Sequence, residues 1–141
     1  MKIIVCVGDN GAMSFNNRRV SSDRTVTADI IQMVLKEVET GRQTKLWMNR
    51  YSAGLFERYL DDISVSETFL ERAGREDYCF VENVPILEYE REIQTVVLYR
   101  WNRNYPAEVR FAMDLSGWKM AECVEFQGYS HEKITKEVYI K

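Results

Sequence analysis

The sequence contains few of the residues from which metal sites and disulfide frameworks are built. Among its 141 residues there are only one histidine and three cysteines. A single histidine cannot form a histidine-rich zinc site, so we expect no metal. The cysteines, Cys6, Cys79 and Cys123, lie far apart and form no C-x-x-C pair. This spacing indicates free thiols in a reducing compartment, and we therefore expect a cytoplasmic protein.

Long apolar runs and an excess of either charge are also missing. The longest apolar run, Ile3–Val7, has the length of a strand and is far too short to span a membrane. The net charge is −3 and the sequence pI is about 5.3, so no basic field favours a nucleic acid. No linker and no repeat divides the chain, which has only two prolines. We expect one domain, residues 1–141, without a membrane or nucleic-acid partner.

The chain does contain an alternation of strand-like and helix-like patterns. Lys2–Val7 is apolar on both faces, as in a buried strand, and a loop without regular structure is predicted over Gly8–Ser21. A helix capped by Ser21 or Ser22 then extends to about Thr40, with apolar residues at helical spacing. This order predicts an α/β fold, namely a three-layer mixed sheet with flanking helices and antiparallel C-terminal strands. Later strands are predicted at Thr44–Met48, Tyr78–Val81, Thr95–Trp101, Trp118–Phe126 and Ile134–Ile140, and short helices after caps at Ser52 and Ser66 and at Pro85–Glu92.

Three stretches of the chain follow one another in an order known from one family. Residues 2–17 read Lys-Ile-Ile-Val-Cys-Val-Gly-Asp-Asn-Gly-Ala-Met-Ser-Phe-Asn-Asn, a strand that enters a loop. Residues 77–118 include Asp-Tyr-Cys-Phe-Val, Val-Val-Leu-Tyr-Arg-Trp and Val-Arg-Phe-Ala-Met-Asp-Leu-Ser-Gly-Trp, and the third stretch is Glu137–Tyr139. Together they resemble the first strand and active-site loop, the central strands and the last strand of dihydrofolate reductases. The resemblance covers most of the chain and implies a dihydrofolate reductase-like fold.

The motifs with which that family holds NADPH are largely replaced. The family's paired glycines, which approach the cofactor's pyrophosphate, correspond to Glu82-Asn83, where a carboxylate would oppose a phosphate. The family's Gly-Arg-x-Thr corresponds to residues 49–52, in which Arg50 and Ser52 are retained in kind. The segment that grips the cofactor's extra phosphate is reduced to Glu57–Asp62. We therefore predict no cofactor and no conventional NADPH binding.

Asp23 is the candidate catalytic residue that the resemblance implies. Reductases of this family keep a buried carboxylate on their first long helix, where it holds a pterin-like ring and helps to protonate it because burial raises its pKa. Asp23 is the nearest match. Two observations favour a structural role instead: a gapless alignment places Val26 at that position, and an aspartate here complements the helix dipole.

A basic cluster at the loop-to-helix junction is the candidate anion site. Two types of residue are predicted to contact a ligand: cations and hydroxyls that would bind an anion, and apolar residues that the resemblance places beside a cleft. The alternative for the cluster is a solvated loop paired with Asp9 and Asp23. The predicted ligand-binding residues are Val7, Met13, Phe15, Arg18, Arg19, Arg24, Arg50 and Ser52.

The remaining motifs are interpreted as structural. Arg100–Tyr105 interleaves cations with aromatics, but it follows a buried strand, which favours stacking within the fold. The only histidine, His131, lies in the polar turn Tyr129–Lys133. A Cys–His nucleophilic pair would require the fold to bring a cysteine to His131.

These observations favour a small-molecule ligand-binding protein, with a nucleotide- or pterin-like ligand, on a degenerate dihydrofolate reductase-like scaffold. One alternative is a divergent NAD(P)H-dependent reductase of a pterin-like ring, with Asp23 polarising the ring and a trimmed cofactor held by Arg50 and Ser52. The other is a homo-oligomeric interaction module, such as a homodimer that pairs through exposed strands or the Trp101 region. A fold alone does not distinguish these functions.

Overall fold

The computed structural model describes residues 1–141, and its ten strands form two sheets. The strands are β1 (Lys2–Val7), β2 (Ala12–Phe15), β3 (Arg18–Arg19), β4 (Leu46–Met48), β5 (Ser64–Val65), β6 (Tyr78–Phe80), β7 (Thr95–Arg100), β8 (Val109–Arg110), β9 (Lys119–Phe126) and β10 (Ile134–Ile140). Seven of them form the main sheet in the order β5-β4-β6-β1-β7-β10-β9. The pairs from β5 to β7 are parallel, and β10 is antiparallel to both of its neighbours. The mixed sheet with antiparallel C-terminal strands is therefore confirmed.

The helices cover both faces of the main sheet. The α-helices are α1 (Arg24–Glu39), α2 (Arg50–Ala53) and α3 (Phe69–Arg72), and 3-10 segments span Gly54–Asp62 and Leu87–Glu92. None of these helices combines the length and the apolar character that a membrane crossing requires.

Strand β1 lies at the centre of two hydrophobic clusters. Its side chains alternate between the faces of the sheet. Ile3 and Val5 pack in a cluster with Phe69 of α3, whereas Ile4 packs with Ile30 of α1 on the other face. Because β1 pairs in parallel with both β6 and β7, the three most apolar predicted strands lie side by side. This arrangement explains why both faces of β1 are apolar in the sequence.

The prediction of an irregular loop over Gly8–Ser21 is wrong. Strands β2 and β3 form a hairpin whose two turn residues, Asn16 and Asn17, have φ values of 53° and 60°. Asparagine tolerates this left-handed conformation, which two-residue hairpin turns require. Strand β8 pairs with the other edge of β2 and completes a three-stranded sheet.

All three predicted helix caps are also wrong, and for α3 the N-cap is Thr68 and not Ser66. The N-cap of α1 is Asp23, not Ser21 or Ser22, and its side chain accepts a hydrogen bond from the Thr25 N–H. The N-cap of α2 is Asn49, whose side chain accepts from the N–H of Ser52. Aspartate and asparagine cap at least as well as serine, so neighbouring candidates compete and propensity alone does not decide between them. Ser21 and Ser52 therefore become available for other contacts.

Candidate functional site

The N-terminus of α1 and the loop between β9 and β10 meet at the carboxylate of Asp23. This side chain is fully buried and accepts hydrogen bonds from the backbone N–H groups of Thr25, Tyr129 and Ser130 at 2.8–2.9 Å. The Ser130 hydroxyl lies 3.1 Å from Oδ2 of the same carboxylate. Asp23 therefore caps the helix and also anchors a loop more than a hundred residues further along the chain.

His131 connects this carboxylate to Ser21. Its Nδ1 lies 2.9 Å from Oδ2 of Asp23, and its Nε2 lies 2.7 Å from the Oγ of Ser21. The imidazole is buried and stacks on the indole of Trp101, with 4.5 Å between ring centroids and 24° between planes. An ionised carboxylate only accepts hydrogen bonds, so the proton of a neutral His131 lies on Nδ1 and the lone pair of Nε2 faces Ser21.

Folding lowers the pKa of Asp23, whereas the resemblance implied a raised pKa. Desolvation alone would raise it, but the hydrogen bonds from His131 and from the backbone of Tyr129, Ser130 and Thr25 outweigh that effect and hold the pKa well below its ordinary value. The expectation of a raised pKa is wrong for this carboxyl. Asp23 stays ionised and is suited to orient a donor, not to supply a proton.

A groove of about 730 Å³ lies beside this cluster, between the start of α1 and the 3-10 segment Gly54–Asp62. Arg24 and Arg58 both line it, and neither takes part in a salt bridge. The guanidinium carbon of Arg24 lies 3.9 Å from the ring centroid of Tyr129, which is itself 68% exposed. Glu57 and the ionised Asp23 line the same groove, and their carboxylates offset its positive charge.

A second polar cluster lies where β6 ends. The carboxylate of Glu82 is buried and receives Nε of Arg19 at 2.8 Å, Nη2 of Arg19 at 3.2 Å and Oγ of Ser52 at 2.8 Å. The guanidinium of Arg19 also lies over the ring of Tyr51. Two of the predicted ligand-binding residues, Arg19 and Ser52, therefore meet, but their partner is a carboxylate of the protein itself.

The other predicted ligand-binding residues do not converge on one cleft. Val7 and Met13 are buried in the core on the α3 side of the sheet. Phe15 is 45% exposed in β2, and Arg18 is exposed in β3. Arg50 is exposed at the start of α2, where its backbone N–H donates to Glu67. Arg24 alone lies on the groove described above.

Sequence reasoning missed the pairing of Ser21 with His131. The turn that contains His131 is polar in sequence, yet the imidazole is only 4% exposed. A Cys–His pair is not formed, because Ser21 and Asp23 occupy the two ring nitrogens. Burial raises the pKa of the Cys79 thiol to about 12, which suits an inert core residue. The available signal was that the only histidine precedes a predicted sheet strand, β10, while Asp23 lies at the start of the predicted long helix that packs on that sheet.

Comparisons with known proteins define the fold. No protein-family model matches the chain, and no curated protein sequence matches it significantly. Among solved structures, it is similar to a dihydrofolate reductase from Enterococcus faecalis complexed with NADP(H) and RAB-propyl. The TM-score is 0.64 at 10% sequence identity, with 99% of this chain and 94% of the other covered. At this identity the likeness shows the fold alone: the chain is a mixed α/β protein, and its fold is dihydrofolate reductase-like. Such a scaffold can carry a ligand site.

Proposed function

We propose that the protein binds a small anionic ligand with a nucleotide- or pterin-like ring in the groove beside α1, without conventional NADPH binding. The proposal rests on the residues that line this groove. Arg24 and Arg58 supply two cations that form no salt bridge, and the exposed ring of Tyr129, which carries Arg24 on one face, supplies a stacking surface. Arginine and aromatic groups in this combination suit a flat ring that bears a carboxylate or phosphate.

The residues at the end of β6 do not fit the pyrophosphate of NADPH. In the resembled family a glycine pair allows the close approach of the phosphates, whereas Glu82 places a buried carboxylate at that position. Arg19 would have to leave Glu82 in order to pair with a phosphate. An uncompensated buried carboxylate would then remain, which is strongly unfavourable. This contact supports a scaffold whose ligand is not the dinucleotide.

Isothermal titration with AMP, folate and NADPH tests the proposal. We expect AMP or folate to bind saturably, and Arg58→Gln to weaken that binding at least about tenfold because one charge-assisted hydrogen bond is lost. Arg75→Gln is the matched control, since Arg75 is exposed and lines other cavities. NADPH should give no saturable heat. Saturable NADPH binding, or binding of AMP and folate that is indifferent to Arg58, would contradict the proposal.

A further inference from the structure

Ser21, His131 and Asp23 form a hydrogen-bonded chain that ligand binding in the groove does not use. The hydroxyl of Ser21 and the carboxylate of Asp23 lie on opposite nitrogens of one imidazole, at 2.7 Å and 2.9 Å. This is the order of contacts by which a base activates a serine while a carboxylate orients the base. Such an arrangement is identified by its geometry, since unrelated folds build it from different positions along the chain.

The surroundings fix the imidazole in a single orientation. Trp101 stacks on one ring face, and the Asp23 carboxylate is itself held by three backbone N–H groups. The ring therefore cannot turn without losing both its stacking and its hydrogen bonds. A base that is held in place before the reaction is what efficient proton transfer requires.

Ser21 directly precedes a residue that lines the groove, although it does not line the groove itself. Ser21 is only partly buried, and the next residue, Ser22, lines the groove together with Ser130. The backbone N–H groups of Ser22 and Asp23 donate no hydrogen bond within the protein. Because they follow Ser21 directly in the chain and have no partner, these N–H groups are the donors we assign to an oxyanion.

We propose that Ser21 is the nucleophile of an acyl-transfer site that cleaves small esters, with His131 as its base and Asp23 as a positioning residue. Esters with an anionic group are preferred, because Arg24 and Arg58 line the adjacent groove. This charge preference rests on the ligand groove proposed above, whereas the cleavage itself rests only on the three-residue chain.

The reaction needs no reactant other than the ester and water. Ser21 Oγ forms a bond to the carbonyl carbon while its proton passes to Nε2 of His131, and the carbonyl electron pair moves to oxygen. When the carbonyl re-forms, the bond to the alkoxy group breaks and His131 gives its proton to the departing alcohol. Water then attacks the acyl-serine, His131 accepts the water proton, and the acid leaves as the proton returns to Ser21.

A fluorophosphonate probe tests the nucleophile directly. We expect one probe per chain on the peptide that contains Ser21, detected by tandem mass spectrometry, and complete loss of labelling in Ser21→Ala. That variant keeps the buried Asp23–His131 pair, so its Tm should remain close to that of the wild type. Ser116→Ala is the matched control, because Ser116 is exposed in a distant turn, and it should label normally. Absence of labelling in the folded wild type, or labelling unchanged in Ser21→Ala, would overturn the proposal.

Asp23→Asn tests the positioning role through the tautomer of His131, a readout that a loss of stability alone does not change. An asparagine side chain can donate to Nδ1 and so place the proton on Nε2, which removes the acceptor that Ser21 needs. We expect the ¹⁵N shifts of the only histidine to report this tautomer change, and the rate of p-nitrophenyl acetate cleavage to fall about 1,000-fold or more. A changed tautomer with an unchanged rate would refute the role of His131.

The two proposals fail in different ways. Arg58→Gln should abolish most AMP or folate binding and leave the labelling of Ser21 intact. Normal labelling with no ligand binding would remove the proposed function alone, and normal ligand binding with no labelling would remove the acyl-transfer site alone.

Discussion

At the residue scale, Asp23 combines three roles that each require an ionised carboxylate. It caps α1, anchors the backbone of Tyr129 and Ser130, and receives His131. Burial of a charge is unfavourable on its own, and here several donors on one carboxylate offset that penalty. The stability of this junction should therefore depend on the charge as well as on the shape of the side chain.

Asp23→Asn should lower the free energy of unfolding by about 3 kcal/mol near neutral pH, since charge-assisted hydrogen bonds are lost. The pKa of Asp23 is lowered by folding, so this stabilisation is fully present above the unfolded pKa of about 4 and is lost as the pH falls towards the folded pKa. Urea unfolding between pH 7 and pH 3 measures it. The exposed Asp62→Asn serves as control. A difference in unfolding free energy between the wild type and Asp23→Asn that increases as the pH falls would contradict a lowered pKa for Asp23.

Gly128 shows how closely the β9–β10 loop packs on the same carboxylate. A Cβ at this position would lie 2.6 Å from both Oδ2 of Asp23 and Cδ1 of Ile134. Gly128→Ala should therefore destabilise the protein by about 1–3 kcal/mol, as overpacking does. Gly117→Ala is the control, because a Cβ there meets nothing within 4 Å. Equal thermal unfolding midpoints for the two variants would contradict this prediction, because they would show that the loop accommodates the added methyl group without loss of stability.

The sequence located Asp23 but not its partners. Its position after two serines and before an apolar helical pattern is local information, so a cap or a site was predictable there. The contact between Asp23 and His131 joins residues 108 positions apart. His131 lies beside the start of α1 because of the register with which β10 joins the sheet, and no local sequence pattern encodes that register.

At the element scale, Arg19 ties the β2–β3 hairpin to the end of β6 and to α2. Arg19→Met leaves Glu82 buried without its cation, and should cost about 2 kcal/mol, less than for a fully buried pair because Arg19 is a quarter exposed. The double variant with Glu82→Gln should recover part of this loss. Urea unfolding of the two single variants and the double variant gives the coupling energy. Strictly additive losses would show that the pair contributes no coupling to the junction.

The elements predicted correctly are long enough to show their whole apolar pattern within their own residues. β1 and β7 are apolar on both faces and were assigned within one residue. The hairpin was missed because β2 has four residues and β3 has two, too few for a periodic pattern. The hairpin depends on pairing with β8, almost a hundred residues away along the chain. Short elements held by distant partners are the part of this fold that the sequence did not reveal.

At the scale of the whole molecule, the main sheet has a buried centre and one long exposed edge. Strands β1 and β7 are nearly fully buried, whereas seven of the eight residues of β9 are exposed. Met120 and Val124 are the large apolar side chains on this edge. Trp101 is itself buried, whereas residues 102–104 are exposed, so pairing through this region stays a prediction. A homodimer stays a prediction, and β9 is the strand through which it would pair.

Amide hydrogen exchange measured by mass spectrometry distinguishes a monomer, in which the β9 edge is free, from a homodimer that pairs along β9. In a monomer, amides of β1 and β7 should exchange only through global unfolding, and those of β9 through local opening, because β9 has one neighbouring strand and few buried side chains. Protection of β9 should then be independent of protein concentration. A second copy paired along β9 would instead protect its amides increasingly as concentration rises, since dimerisation stabilises by mass action. If the β9 amides were as protected as the β1 amides even at high dilution, the protein would not be a monomer, because only a tightly bound partner strand could protect β9 to that degree.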